Sequence, residues 1–227
     1  MKISKETLQV LKNFSSINSS IFVKKGNQLT TISKAKNILA SASVAESFPL
    51  DFAIYDLAKF LGALSLFEEP ELEFTDGHVN IKGTHKKHSI RYVYSDPANV
   101  NKPRKDRIEL PHNDVELSLG DDTVKDIVKA SGLMSLPNMR IKTGKGGSID
   151  IVLEDSTNSK SSNYMINTGA SSDKNFDFSF KVENMKLLDG PYDTAVFFDK
   201  DKKMGFGYFK GQNVEYWIAV EADSVLD

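Results

Sequence analysis

Asp51-Phe52-Ala53-Ile54-Tyr55-Asp56-Leu57-Ala58-Lys59-Phe60-Leu61-Gly62-Ala63-Leu64-Ser65-Leu66 changes its period part-way along. Residues 51–54 read as a short strand. From there Leu57, Phe60, Leu61 and Leu64 recur every three or four positions, which predicts a helix over 55–66 with Lys59 on the side away from that apolar arc. The same entry returns at Asp177-Phe178-Ser179-Phe180, which leads into a predicted short helix over 182–188 closed by Gly190.

Two further units of the same kind surround these. Ser4 is a good N-cap for a helix to about Ile17, with Leu8, Leu11 and Phe14 inward and Lys5, Gln9, Lys12 and Ser16 on the opposite arc. Residues 115–119 alternate as a strand and precede a helix near 122–132, whose core arc is Val124, Ile127 and Val128, with Lys125 and Lys129 projecting away. Three strand-like runs follow each helix, and Asp76-Gly77 marks a hairpin between two of them. The order is strand, helix, three strands, four times over if residues 1–3 count as the first strand. The fold class is therefore α+β: two similar domains, each a duplicated strand-helix-three-strand unit, with helices on one side of antiparallel sheets. Pro97 and Pro103 punctuate a stretch without apolar periodicity, so the domains are placed at 1–95 and 108–227, joined by a connector at 96–107.

Composition narrows the function. The 227 residues carry 29 Lys+Arg against 31 Asp+Glu, a formal charge of −2, and 40% hydrophobic residues fill a core. With no cysteine there is no disulfide framework, thiolate metal site or cysteine nucleophile. No apolar run approaches membrane-spanning length and no basic-then-apolar leader is present, so a soluble intracellular protein is expected.

No convergent catalytic constellation emerges. The glycines of 143–147 lack phosphate-loop spacing and read as a hairpin turn. His85 and His88 fall on opposite faces of a strand expected over 86–94. Asp121, Asp122 and Asp126 suit a first helical turn. What recurs is cationic: Lys5 and Lys12, Lys59, Lys125 and Lys129, and Lys186 in the equivalent short helix. If the helices share one side, an acidic protein acquires a basic lining suited to phosphates. Without an arginine cluster or interleaved aromatics, such a lining does not read base sequence.

Leu11-Lys12-Asn13-Phe14 with Ile17-Asn18-Ser19, then Phe52–Leu57 with Phe60-Leu61-Gly62, Glu183-Asn184-Met185-Lys186, and the terminal run from Tyr216 to Ser224 resemble the sliding clamp of T-even-type bacteriophages. The resemblance runs in order over nearly the whole chain. It implies a non-enzymatic DNA polymerase processivity factor without cofactor or metal, acting in the cytoplasm of the infected bacterial host. It further implies a ring-shaped homotrimer with helices lining a hole that holds duplex DNA by topology, opened and closed by an ATP-driven clamp loader. The six lysines would then face DNA. Subunits would join through strands near 89–94 and 163–168, where Ile90, Tyr92, Tyr164 and Ile166 are the sealing candidates. A polymerase C-terminal tail would dock on Trp217, Ala219, Val220 and Met204, with Val100 and Pro103 as a movable wall. Two other readings stand beside this one: a metal-dependent hydrolase built on His85, His88 and neighbouring acids, and a β-rich structural or assembly protein without a DNA role.

Overall fold

The structure is a computed structural model describing residues 1–83, 88–158 and 160–227, and it divides into two compact units, Met1–Arg107 and Ile108–Asp227. Residues 84–87, which hold His85 and the expected start of a strand at 86, lie outside the described residues.

The first unit opens with α1 (Lys5–Ile17). Its Ser4 cap accepts the Thr7 amide at 3.2 Å, satisfying one of the free N–H groups of a first turn. Thr7, Val10, Leu11, Phe14 and Ile17 are buried, and Leu8 is half-buried. Three strands follow, β1 (Ile21–Val23), β2 (Gly26–Ile32) and β3 (Ile38–Phe48), with β2 and β3 paired as an antiparallel hairpin. Next come β4 (Phe52–Ile54), which pairs with β1, and α2 (Leu57–Ser65), shorter at its start than its apolar period suggests because Asp56 caps it through the Lys59 amide at 2.8 Å. Leu57, Phe60 and Leu64 are its buried stripe. The meander β5 (Pro70–Phe74), β6 (His78–Gly83) and β7 (Ser89–Val93) completes the unit, and the β5–β6 turn falls at Asp76-Gly77. The packed rings of Phe48, Phe52, Phe74 and Tyr94 fix this layer.

The second unit begins with β8 (Val115–Leu119) and α3 (Thr123–Met134), then β9 (Asn138–Thr143), β10 (Ser148–Glu154), β11 (Tyr164–Ser171) and β12 (Phe176–Lys181). It ends with β13 (Tyr192–Asp199), β14 (Met204–Lys210), β15 (Val214–Ala219) and a two-residue β16 (Val225–Leu226). One antiparallel sheet runs β11-β10-β9-β12-β16, and β15-β14-β13-β8 are neighbours in another. Phenylalanines lock the two together: Phe178 lies 5.7 Å from Phe198, and Phe180 lies 6.3 Å from Phe209. Gly207 lets this layer close tightly, since a β-carbon there would sit 3.0 Å from the Phe180 ring.

Three expectations from the sequence need correcting. The fourth helix is absent, and only Val182–Asn184 form a single 3-10 turn. Val182, Asn184, Met185 and Leu187 are all buried, a spacing no single helical stripe provides. The Leu188 amide donates to the Tyr216 hydroxyl at 3.2 Å and its carbonyl accepts from Tyr192 at 2.7 Å, so tyrosines supply the bonds that a helical turn would have made. Burial pushes both phenols up. The second correction is Val128, which is 48% exposed, because the α3 core stripe is only Val124 and Ile127. Ser135 then ends the helix in a left-handed conformation, and the chain buries Leu136 instead. The first expected strand is a lone bridge, Lys2 to Glu71.

Candidate nucleic-acid and partner interfaces

Helical geometry separates the lysines from the core in each true helix. Lys5 and Lys12 lie roughly 180° round α1 from its buried stripe, at about 100° per residue. Both are exposed, as are Lys59 on α2 and Lys125 and Lys129 on α3. The faces differ in charge. On α3, Asp122 stands 4.0 Å from Lys125, and Asp121 and Asp126 are exposed nearby, so this helix is a mixed surface. Lys186 is half-buried on the irregular segment after the 3-10 turn, on no helix face. His88 is exposed, and among the described residues no group of three or more His, Asp or Glu is placed to hold a metal ion. No helix of the described residues is long and apolar enough to cross a membrane.

Both strands expected at a subunit junction are sheet edges: β7 ends the meander and β11 ends the five-stranded sheet. Their side chains alternate. Ile90 and Tyr92 stand opposite the buried Ile81 and Val79, while Tyr164 and Ile166 stand opposite the buried Leu153 and Ile151. All four are half-buried, because each lies on the core-facing side of a strand with no outer neighbour in its sheet. Tyr92 is further positioned by Phe60, 5.0 Å away edge-on, and by donating to the Asp56 carbonyl at 3.1 Å. Burial raises its pKa.

The β13–β14–β15 register sorts the expected docking residues. Tyr208 is opposite Trp217, Phe206 is opposite Ala219, and Met204 lies two residues before Phe206, so Trp217, Ala219 and Met204 share one face. Val220 is brought beside Gly205 by its amide, 3.1 Å from that carbonyl, and alternates to the opposite face. Trp217 is only 3% exposed. Its indole N–H donates to the Ile108 carbonyl at 2.8 Å, and its ring stacks on Tyr208 at 5.2 Å. The tryptophan is thus buried on this face, and Met204, which is 57% exposed, lies further along it. Val100 and Pro103 belong to the first unit, where Val100 is buried and Pro103 half-buried.

Sequence reasoning missed the strap over this face. His112 packs edge-on against Phe197 at 4.9 Å and stands 3.2 Å from Asp114. Asp114 is buried and also accepts from the Phe198 amide at 2.9 Å and from Lys174 at 3.3 Å. A cavity of about 630 Å³ adjoins the strap, lined by Leu110, Glu116, Ser118, Asp193, Tyr208 and Lys210 among others. The signal available in sequence was only an acid, Asp114, just before an alternating strand.

Known structures place the architecture among the DNA clamps. The chain superposes on PCNA from Thermococcus kodakaraensis with a TM-score of 0.66 at 16% identity, covering 96% of each chain. It also superposes on the A. fulgidus PCNA solved with the C-terminal region of FEN-1 bound, with a TM-score of 0.67 at 14% identity, covering 94% of each chain. Residues 4–97 match the family model for DNA polymerase processivity factor, and 116–222 match that for the gp45 sliding clamp, C terminal. The sliding clamp of Vibrio phage KVP40 is 32% identical over 98% of this chain and all of its own length, and that of Enterobacteria phage T4 is 31% identical over the whole of both. The chain belongs to the phage sliding-clamp family, and its function is that of a DNA polymerase processivity factor.

Proposed function

We propose that three copies of this chain close into a ring around duplex DNA, joining β7 of one subunit to β11 of the next. The observation that carries this reading is the pair of free edge strands, each with two half-buried apolar or aromatic residues continuing a core layer: Ile90 and Tyr92, Tyr164 and Ile166. Antiparallel or parallel addition at such edges extends both sheets and finishes their burial. Lys5, Lys12, Lys59, Lys125 and Lys129 then face the DNA from α1, α2 and α3, while Lys186 supplies a weaker contact from its irregular segment. A closed ring holds DNA by topology, so water-mediated phosphate contacts suffice and leave it free to slide.

In the same reading an ATP-driven loader opens the ring, and the polymerase C-terminal tail docks over Met204, Ala219 and the Trp217–Tyr208 stack, with Val220 contributing as the docked chain extends. The complex of A. fulgidus PCNA with the C-terminal region of FEN-1 supports a tail as the docking element. The protein performs no chemistry of its own and works in the cytoplasm of the infected host. The test is retention on nicked circular DNA after loading. Ring closure predicts that the protein stays on the circle and is lost when the circle is linearised; equal loss from both refutes it.

A further inference from the structure

The C-terminal end of α3 carries an apolar surface, and beside it a charge opposite in sign to the helix's lysines. A cavity of about 750 Å³ opens there, lined by Val128, Gly132, Pro137, Val182, Glu183 and Glu221 among others, all of them in the second unit. Ligand sites typically enclose roughly 300–1,000 Å³, so it has room for several side chains. Val128 is exposed on its wall, and the apolar surface runs on past it. The residues after Gly132 are Leu133, 77% exposed, and Met134, 40% exposed. The electrostatics of this end are negative. No basic residue stands in the last turn of α3, which leaves the negative end of the helix without a cation. Glu183 is exposed, and Glu221 stands 3.7 Å from Lys181. Asp223, also on the lining, shares the single guanidinium of Arg140 with Glu154 and Asp177. Five carboxylates thus meet two cations. Neither the α3 lysines nor Lys186 line the cavity.

We propose that this cavity docks a cationic and apolar segment of a partner protein. One large apolar side chain enters beside Val128 and Val182, and a neighbouring arginine or lysine reaches Glu183 and Glu221. Duplex DNA is the wrong occupant, because its phosphates meet charge of their own sign. A small free cation is too little. It would leave Leu133 and Met134 uncovered, whereas a segment of several residues buries them at the rim. Apolar contact then supplies most of the affinity, while the carboxylates steer the segment and fix its register. The site shares no residue with the Trp217 face and needs no ring closure, so it stands independently of both.

The experiment uses two fluorescein-labelled ten-residue peptides with the same central leucine and phenylalanine, one flanked by two arginines and its twin by two glutamines. Both are titrated by fluorescence anisotropy against the wild-type protein, Gly132→Phe and Glu183→Gln/Glu221→Gln, with thermal melting as the fold control. A β-carbon on Gly132 meets nothing within 4 Å, so a phenylalanine there has room to enter the cavity and block it. Val128→Lys, at an exposed position, is the second block should Gly132→Phe melt early. The arginine peptide is expected to bind the wild-type protein saturably and to lose about tenfold or more on either block. On the glutamine double variant it should lose roughly threefold to tenfold, while its neutral twin changes less than about twofold. Absence of saturable binding of the arginine peptide to the wild-type protein overturns the proposal. So do unchanged binding to the blocked variants and equal losses of both peptides on the glutamine variant. If a block instead alters the sedimentation of the protein with peptide binding unchanged, the face joins copies of this chain and the proposal is wrong.

Discussion

Glu46 shows how one side chain on a strand sets a helix in place. Its carboxylate on β3 accepts from the Ser4 amide and from the Thr7 hydroxyl, at the positive end of α1. Burial alone would raise its pKa, but the bonds from Thr7 and Ser4 outweigh it and the group is held below the ordinary glutamate value. A depressed folded-state pKa contributes stability that is present above the unfolded value of about 4.3 and lost as pH falls through the folded one. Glu46→Gln is therefore expected to lower stability by about 1 kcal/mol at pH 7, comparable to losing a cap, in urea melts followed by circular dichroism. The gap between variant and wild type should close below pH 4. Arg140 plays a similar part in the second unit, where Glu154 at 2.7 Å, Asp177 at 3.0 Å and Asp223 hold a guanidinium that is 12% exposed. That arrangement ties the chain's last residues to β9, β10 and β12.

Among the elements, the helices separate a folding role from a binding one by face. The lysines on α1 and α3 lie away from the core, so their removal touches little that holds the fold. Lys5→Glu, Lys12→Glu, Lys125→Glu and Lys129→Glu together are expected to leave the melting temperature within a few degrees. Loose binding to linear duplex should lose close to one unit of salt slope for each phosphate contact removed, a slope of about 0.9 per contact. Filter binding across a salt series measures this. An unchanged slope would take these helices off the DNA. Lys186→Glu is the internal comparison: half-buried after a 3-10 turn, it should alter the slope less than either α1 lysine.

At the scale of the molecule, sheet edges decide assembly. Ile90 and Ile166 each face a core layer from an unpaired edge strand. An aspartate at either position places a charge where proposed ring closure needs apolar contact. Ile90→Asp with Ile166→Asp is expected to weaken subunit association by roughly 100-fold or more, giving folded monomers by sedimentation and near-ultraviolet circular dichroism. Trimers of undiminished stability would place the junction on other strands.

Much of this architecture is written in local chemistry. Ser4 and the apolar arc of α1 place a helix, Asp76-Gly77 places a hairpin, and the strand-helix-three-strand order is complete in the second and third units because period and turn residues act over a few neighbouring positions. The lysine faces were legible for the same reason, since a helix fixes its far side once its near side is known. Other features belong to the tertiary structure. Whether residues 182–188 form a helix depends on the hydroxyls of Tyr192 and Tyr216, and on a core that buries Met185 and Leu187 together. The exposure of Val128 follows from where α3 stops, and the burial of Trp217 from the carbonyl of Ile108, 109 residues earlier. Helical period and turn type are set by a residue's neighbours along the chain, but the partner that satisfies a buried polar group, or covers an aromatic ring, comes from whichever segment the fold brings there.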